Sequence, residues 1–286
     1  MLTLAGFFCS LAITILFLAG SAPLLASPAL KRVNYAGREV PTAAGFLFVP
    51  TFVTAYVLLR LLGGHGLRHV YGAGEGLLVL VTGMGFLGLL DDLLGDRGTS
   101  GFVGHLRSAL RGKLTTGFLK ALGGFLIAVA ASFPISAHVW DLFINGAIIA
   151  LAANLFNLLD MRPGRALKVF FPALGASIAV GWRLGDALVP YMFSVAATAL
   201  VLMPGDLAER FMLGDAGSNV LGATVGFGLA AGAGLWWRVG LLAGFAALNL
   251  LSEKVSFSSV IEGNRALSWL DGLGRKGETG AGANYN

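Results

Sequence analysis

Charge is scarce in this sequence: Asp, Glu, Lys and Arg make up 12% of its 286 residues, against about a quarter in soluble domains. With 56% of the residues hydrophobic, a water-soluble fold of this length would have a core and almost no surface to cover it. A soluble domain is thereby excluded, and a polytopic helical membrane protein is what the composition leaves. Cysteine is nearly absent as well. The single Cys9 lies inside the first apolar run, so no intramolecular disulfide can form and the redox compartment is not legible. The N-terminal run lacks the basic segment of a signal peptide and, at about 25 residues, is long enough to span, so it is expected to be a retained helix. No nucleic-acid partner is expected.

What the chain does have is apolar runs. Nine are long enough, or nearly so, to cross a bilayer at 1.5 Å per residue: 2–25, 43–63, 74–94, 114–134, 142–160, 167–183, 186–204, 218–236 and 237–255. The expected fold is an all-α, polytopic transmembrane bundle of about nine spans, between eight and ten. It would occupy 1–275 as one membrane domain, followed by a disordered cytoplasmic tail over 276–286. The sixth run is opened by Lys168 and closely followed by the seventh, so a re-entrant segment also fits there. Trp236, Trp237 and Arg238, between runs eight and nine, form an interfacial signature of paired aromatics and a cation.

Nine spans would place sixteen of the 20 basic residues in segments following odd-numbered runs, leaving only Arg60, Arg68, Arg183 and Arg238 on the other side. The positive-inside rule then puts the N-terminus outside and the C-terminus in the cytoplasm. Of the 15 acidic residues, only Glu75, Asp141 and Asp186 fall outside. That rule does not require acids to follow the bases, so the carboxylates point to a cytoplasmic-face active site.

Three polar clusters stand at the ends of apolar runs. Asp91 and Asp92 close the third run, where a carboxylate pair in lipid would cost about 2.5–3.5 kcal/mol per residue and therefore belongs in water or on a metal. The basic loop after them leads through Lys113 to Lys120, seven residues apart and so on one helical face. It fits either a membrane-surface segment or a phosphate site. Asn154, Asn157 and Asp160 close the fifth run at steps of three, so all three are expected to project from neighbouring positions on one helical face, with Arg162 and Arg165 flanking the helix-breaking Pro163 and Gly164. These polar groups suit a neighbouring helix or a diphosphate, and the arginines suit bidentate phosphate binding. Gly214-Asp215-Ala216-Gly217-Ser218-Asn219 opens the eighth run with a tight turn and free helix N–H groups, which favour an anion; a plain cap and turn is the other reading. The first loop, from Lys31 to Thr42, suits lipid headgroups or a phosphate. The last segment, 251–275, is expected to be amphipathic and to lie at the membrane surface.

In these residues the chain resembles the polyprenyl-phosphate N-acetylhexosamine-1-phosphate transferase superfamily (glycosyltransferase family 4), which includes phospho-N-acetylmuramoyl-pentapeptide transferase. The resemblance covers about 31–261. It rests on Asn34, Gly37 and Pro41-Thr42, on Asp91-Asp92, on Asn154-x-x-Asn157-x-x-Asp160, and on Gly214-Asp215-Ala216-Gly217-Ser218. It implies transfer of a sugar-1-phosphate from a UDP-sugar to polyprenyl phosphate with Mg²⁺ or Mn²⁺, in a multi-pass protein of the prokaryotic plasma membrane and with a homodimer as one form. By motif, Asp91, Asp92, Asp160 and Asp215 would be catalytic. Metal ligands would come from Asp215, Asn157 and Asp92, with Asp91 or Asp92 orienting or deprotonating the acceptor phosphate. Lys113, Lys120, Asn154, Asn157, Arg162, Arg165, Gly217, Ser218 and Asn219 would bind substrate. Two departures stand out: the third motif continues Asp160-Met161-Arg162-Pro163-Gly164 where relatives read Asp-Gly-x-Asp-Gly, and no histidine follows His138, so the His-x-His-His motif is missing. A catalytically silent relative, an anion transporter and a CDP-alcohol-type phosphotransferase are the competing classes. One-sided charge argues against the second, and the missing Asp-Gly-x-x-Ala-Arg run argues against the third.

Overall fold

The computed structural model describes residues 2–63, 71–95, 116–181 and 185–275. Each of the nine apolar runs coincides with a helix: α1 (Leu2–Gly20), α2 (Phe48–Gly63), α3 (Tyr71–Leu94), α4 (Thr116–Ser132), α5 (Val139–Leu159), α6 (Arg165–Val180), α7 (Gly185–Leu207), α8 (Asp215–Gly232) and α9 (Leu235–Ser252). Two short helices follow, α10 (Phe257–Gly263) and α11 (Arg265–Gly272). The chain is thus an all-α membrane bundle. Seven of the nine long helices have the length and apolarity to cross a membrane; α6 and α8 are the two that do not meet both. The expected 276–286 tail lies outside the described residues.

The bundle is built around α8, which packs against α3, α5 and α6. Fourteen of its residues are buried, on every side of the helix, so it has no amphipathic stripe and reads in the sequence as a small-residue run. On one flank α1 packs against α2 and α7. Buried hydroxyls join these three: Ser10 Oγ to Ser194 Oγ at 2.7 Å, and Thr14 Oγ1 to Thr198 Oγ1 at 3.2 Å and Thr51 Oγ1 at 3.3 Å. In lipid, where apolar surfaces gain nothing by meeting, such pairs supply about 0.6 kcal/mol each. On the other flank α9 lies against α5 with none of its residues buried. Polar clips near its two ends hold it: Arg238 to Asp141 at 2.8 Å, and Asn249 to Asn154 at 2.6 Å.

The first loop folds back on itself as a hairpin. Lys31–Val33 (β1) pairs antiparallel with Glu39–Pro41 (β2), Lys31 opposite Pro41. Its turn is closed by Asn34 Oδ1, which accepts from the Ala36 and Arg38 N–H groups at 3.0 and 2.9 Å. No alternating hydrophobic pattern marks this hairpin, because its neighbours rather than a sheet core hold it. Arg32 donates to the Asp92 and Leu93 carbonyls at the end of α3, at 2.8 and 3.1 Å. The Pro41 carbonyl accepts from Met212 N–H at 2.7 Å. The hairpin therefore sits at the end of the bundle where α3 and α5 finish and α4, α6 and α8 begin.

Candidate active site

Asp92 shapes this end of the molecule. One turn before it, Gly88 lets α3 approach the Asp215 peptide so closely that a Cβ would collide with the Asp215 carbonyl. From there the Asp92 carboxylate accepts the Asp215 N–H at 3.1 Å and the Ala216 N–H at 3.0 Å. These are the first N–H groups of α8, which have no partner within their own helix, and the helix dipole favours an anion there. Gly214 makes the turn possible: its φ of 72° lies in the left-handed region, and Asp92 Oδ2 would stand 2.7 Å from a Cβ added to it. Asp92 is thus a helix cap supplied by a different helix. Replacing it with Ala removes both acceptors and is expected to lower stability by about 1–2 kcal/mol. Asp92→Asn keeps one acceptor but sets an amide NH₂ against the second N–H, so it should recover only part of that loss. Thermal midpoints in detergent check the difference.

Asp91, the neighbouring carboxylate, is grouped instead with Lys120 and Asp215. Lys120, in the first turns of α4, brings Nζ 2.9 Å from Asp91 Oδ2 and into contact with Asp215 Oδ2. The side chains of Asp91, Lys120 and Asp215 keep 24%, 19% and 23% of their exposure, so the ion-paired trio can be reached from outside. Asn157 completes it. With its amide turned to satisfy both neighbours, nitrogen donates to Asp215 Oδ1 at 2.7 Å and oxygen accepts from Lys120 Nζ at 2.9 Å. Ser218 Oγ, from α8, lies 3.4 Å from the same amide.

Asp160 follows the last residue of α5, beside this group. Burial, then the nearby charges of Asp206, Asp215 and Asp92, hold its carboxyl well above the ordinary range, outweighing a hydrogen bond from the Gly214 N–H. Such an accumulation of carboxylates favours a cation or a proton at the site.

Two acids that sequence reasoning did not single out hold the loop that delivers Asp215. Asp206, at the end of α7 and 4% exposed, accepts the Gly164 N–H at 2.6 Å and the Leu213 N–H at 2.9 Å, so it ties the α5–α6 turn to the loop before α8. An ionisable side chain ending an apolar run was the available signal. Glu209 accepts from Asn34 Nδ2 at 2.6 Å, Arg38 Nη2 at 2.5 Å and Tyr35 Oη at 3.2 Å, and has a φ of 53°. Left-handed backbone in a non-glycine residue is disfavoured, and the grip of the hairpin keeps it there. No local signal marks Glu209.

The other expected residues divide. Gly217 packs against Gly45 and Leu213, and Asn219 is buried in α8. Asn154 points to α9 and pairs with Asn249 at 2.6 Å. A three-residue step turns a helix by about 300°, so two steps leave Asn154 about 120° away from Asp160. The expectation of one shared face therefore fails geometrically for Asn154. Arg162 stands over the Tyr35 ring at 4.4 Å and pairs with Glu262 at 2.6 Å. Arg165 is buried and uses its fork on a carboxylate rather than a phosphate: Nε and Nη2 meet Asp271 Oδ1 and Oδ2 at 2.9 and 2.8 Å. Lys113 lies outside the described residues.

Among the described residues no group of three or more His, Cys, Asp or Glu side chains is arranged to hold a metal ion. The donors around Lys120 are nonetheless all hard oxygens, two carboxylates and an amide, which is the chemistry Mg²⁺ selects. In donor type, Asp91, Asp215 and Asn157 fit that ion, while both oxygens of Asp92 are engaged by backbone.

Comparison with known proteins bears on the same reading. No family model matches the chain. A phospho-N-acetylmuramoyl-pentapeptide-transferase of Streptomyces griseus is 26% identical over 228 residues, covering 72% of this chain and 58% of the relative. A protein of the same name from Frankia casuarinae is 28% identical over 219 residues, 70% of this chain and 56% of the relative. The match therefore spans less than two thirds of either relative's length. Both relatives support the resemblance of the chain to the polyprenyl-phosphate N-acetylhexosamine-1-phosphate transferase superfamily.

Proposed function

We propose that this chain is a membrane phosphotransferase that moves a sugar-1-phosphate from a nucleotide sugar, UDP-linked, to polyprenyl phosphate. The site would face the cytoplasm at a prokaryotic plasma membrane, with the N-terminus outside and the C-terminus within. The observation that carries the reading is the accessible ion-paired group of Asp91, Lys120, Asn157 and Asp215, gathered from four helix ends beside the capped N-terminus of α8. The similarity to two transferases agrees with it.

In the reaction an oxygen of the lipid phosphate attacks the sugar-bearing phosphorus. A new P–O–P bond forms, the bond from that phosphorus to the bridging oxygen breaks, and UMP leaves with the electron pair. Two anions must meet, and the site answers that repulsion. Lys120 can exchange its carboxylate partners for phosphate oxygens, while Asp91 orients the acceptor phosphate or takes its proton. Asp215 and Asn157, with Asp91, would hold Mg²⁺. When bound, that ion supplies positive charge to the phosphate oxygens. Asp92 positions Asp215 through its backbone.

The test is a radiolabel assay on purified protein with polyprenyl phosphate, Mg²⁺ and a panel of UDP- and CDP-sugars, following nucleoside monophosphate. Release with one donor, abolished by chelation and restored by Mg²⁺, is the expected result. Absence of release from every donor, by protein that still binds Mg²⁺, would favour a silent relative.

A further inference from the structure

The last two helices carry an apolar face that the other described residues leave uncovered. In α11, a turn of about 100° per residue gathers Ala266, Leu267, Trp269 and Leu270 on one arc and leaves Arg265, Ser268 and Asp271 on the other. Leu267, Trp269 and Leu270 are 42%, 66% and 49% exposed, whereas Asp271 is 8% exposed.

The polar side is anchored. Asp271 is forked to Arg165 and also meets Arg275 at 2.7 Å. Lys168 Nζ reaches the carbonyls of Leu270 and Leu273 at 3.3 and 3.2 Å, and that of Asp271. Arg165 and Lys168 belong to the first turn of α6, level with the candidate site. The apolar arc is consequently held facing away from the bundle. Its surroundings follow from the preceding helix: α9 is long and apolar enough to span, has no buried residue, and ends at Ser252. Only 253–256 separate that membrane-spanning helix from α10.

We infer that α11, together with the exposed Val260 of α10, rests in the headgroup layer of the leaflet where α9 ends, with Leu267, Trp269 and Leu270 inserted among the lipids. Charge is not what draws it there. Over 253–275 the three cations, Lys254, Arg265 and Arg275, are matched by three carboxylates, Glu253, Glu262 and Asp271. Attraction to anionic headgroups scales with unmatched Lys and Arg, so the contact comes from buried apolar area and a zwitterionic bilayer suffices.

The single cysteine makes a direct test convenient. On a Cys9→Ala background, L267C, W269C, L270C and S268C are spin-labelled one at a time in the full chain, reconstituted in phosphatidylcholine nanodiscs. Collision with oxygen, which concentrates in lipid, is compared with collision with a water-soluble nickel chelate. The ratio of oxygen to nickel accessibility should be several-fold higher at 267, 269 and 270 than at 268, and unchanged when phosphatidylglycerol is added. None of the four side chains is a partner of Asp271, and the Leu270 carbonyl that Lys168 reaches is kept in L270C. High nickel accessibility at all four would overturn the inference by putting the segment in water. Exclusion of both reagents at the three apolar positions would overturn it in favour of a second copy of the chain. Insertion that appears only with phosphatidylglycerol would overturn the charge-independent contact.

Discussion

Asp215→Asn is expected to lower nucleoside monophosphate release by at least about 10²–10³-fold, the usual loss when one preorganised electrostatic partner is removed from a phosphate-transfer or oxyanion site. The fold should survive, because the feature of Asp215 that α8 needs is its backbone N–H, which Asp92 accepts at 3.1 Å, not its side chain. Asparagine keeps the shape and one oxygen but loses the charge. Lys120 is then left with Asp91 as its one carboxylate partner, at 2.9 Å, and the oxygen donors around it fall from two carboxylates to one. The loss should appear in kcat more than in KM, since in the proposed reaction the charge of Asp215 acts where the phosphates react. Turnover at the wild-type rate would remove Asp215 from the mechanism. A variant that elutes aggregated in detergent would mean that the side chain is structural, and the thermal midpoint separates the two.

The helices were legible because hydrophobic length is a direct physical requirement of a bilayer, and α1, α3 and α5 satisfy it without help from the rest of the chain. The carboxylates at their ends were legible for the complementary reason, that lipid does not tolerate them. What the sequence could not convey is partnership at a distance. Asp92 looks like Asp91, yet its two oxygens are claimed by backbone N–H groups of α8, more than a hundred residues away. Arg165 looks like a phosphate ligand, and only the folded chain shows Asp271 in its fork. The hairpin and Glu209 are invisible locally because each is held in place by the other. Asn154 illustrates a different limit: a three-residue repeat drifts around the helix, so adjacent members can share a face while the first and last do not.

The buried fork of Arg165 on Asp271 carries the second large effect. Arg165 and Asp271 keep only 3% and 8% side-chain exposure, and Arg275 Nε adds a hydrogen bond to the Pro163 carbonyl at 3.0 Å beside them. Taking away Arg165 leaves Asp271 with Arg275 as its charged partner, whereas taking away Asp271 strips the carboxylate from two buried arginines at once, which costs about 3 kcal/mol or more. Asp271→Leu should therefore release α10 and α11, whereas α1–α8, which do not depend on this contact, should stay folded. The measurement is hydrogen exchange over 265–275 together with tryptic cleavage at Lys254 and Arg265: both should rise in Arg165→Met, where Arg275 still meets Asp271, and rise more sharply in Asp271→Leu, where both arginines lose their carboxylate. The same contact predicts an acid threshold. Burial alone would raise the Asp271 carboxyl, but hydrogen bonds from Arg165 and Arg275 and their charges outweigh it and hold it below the usual range. A carboxyl lowered in the folded state contributes its full stabilisation above its unfolded pKa of about 3.9 and loses it as the pH falls through the lower folded value. Exchange in 265–275 should thus accelerate, beyond its intrinsic pH dependence, only below about pH 4 in the wild type, and Asp271→Leu, already released at neutral pH, should show no such threshold. Equal protection of this segment in wild type and Asp271→Leu would show that the apolar face of α11, and not the buried ion pair, holds the strap in place.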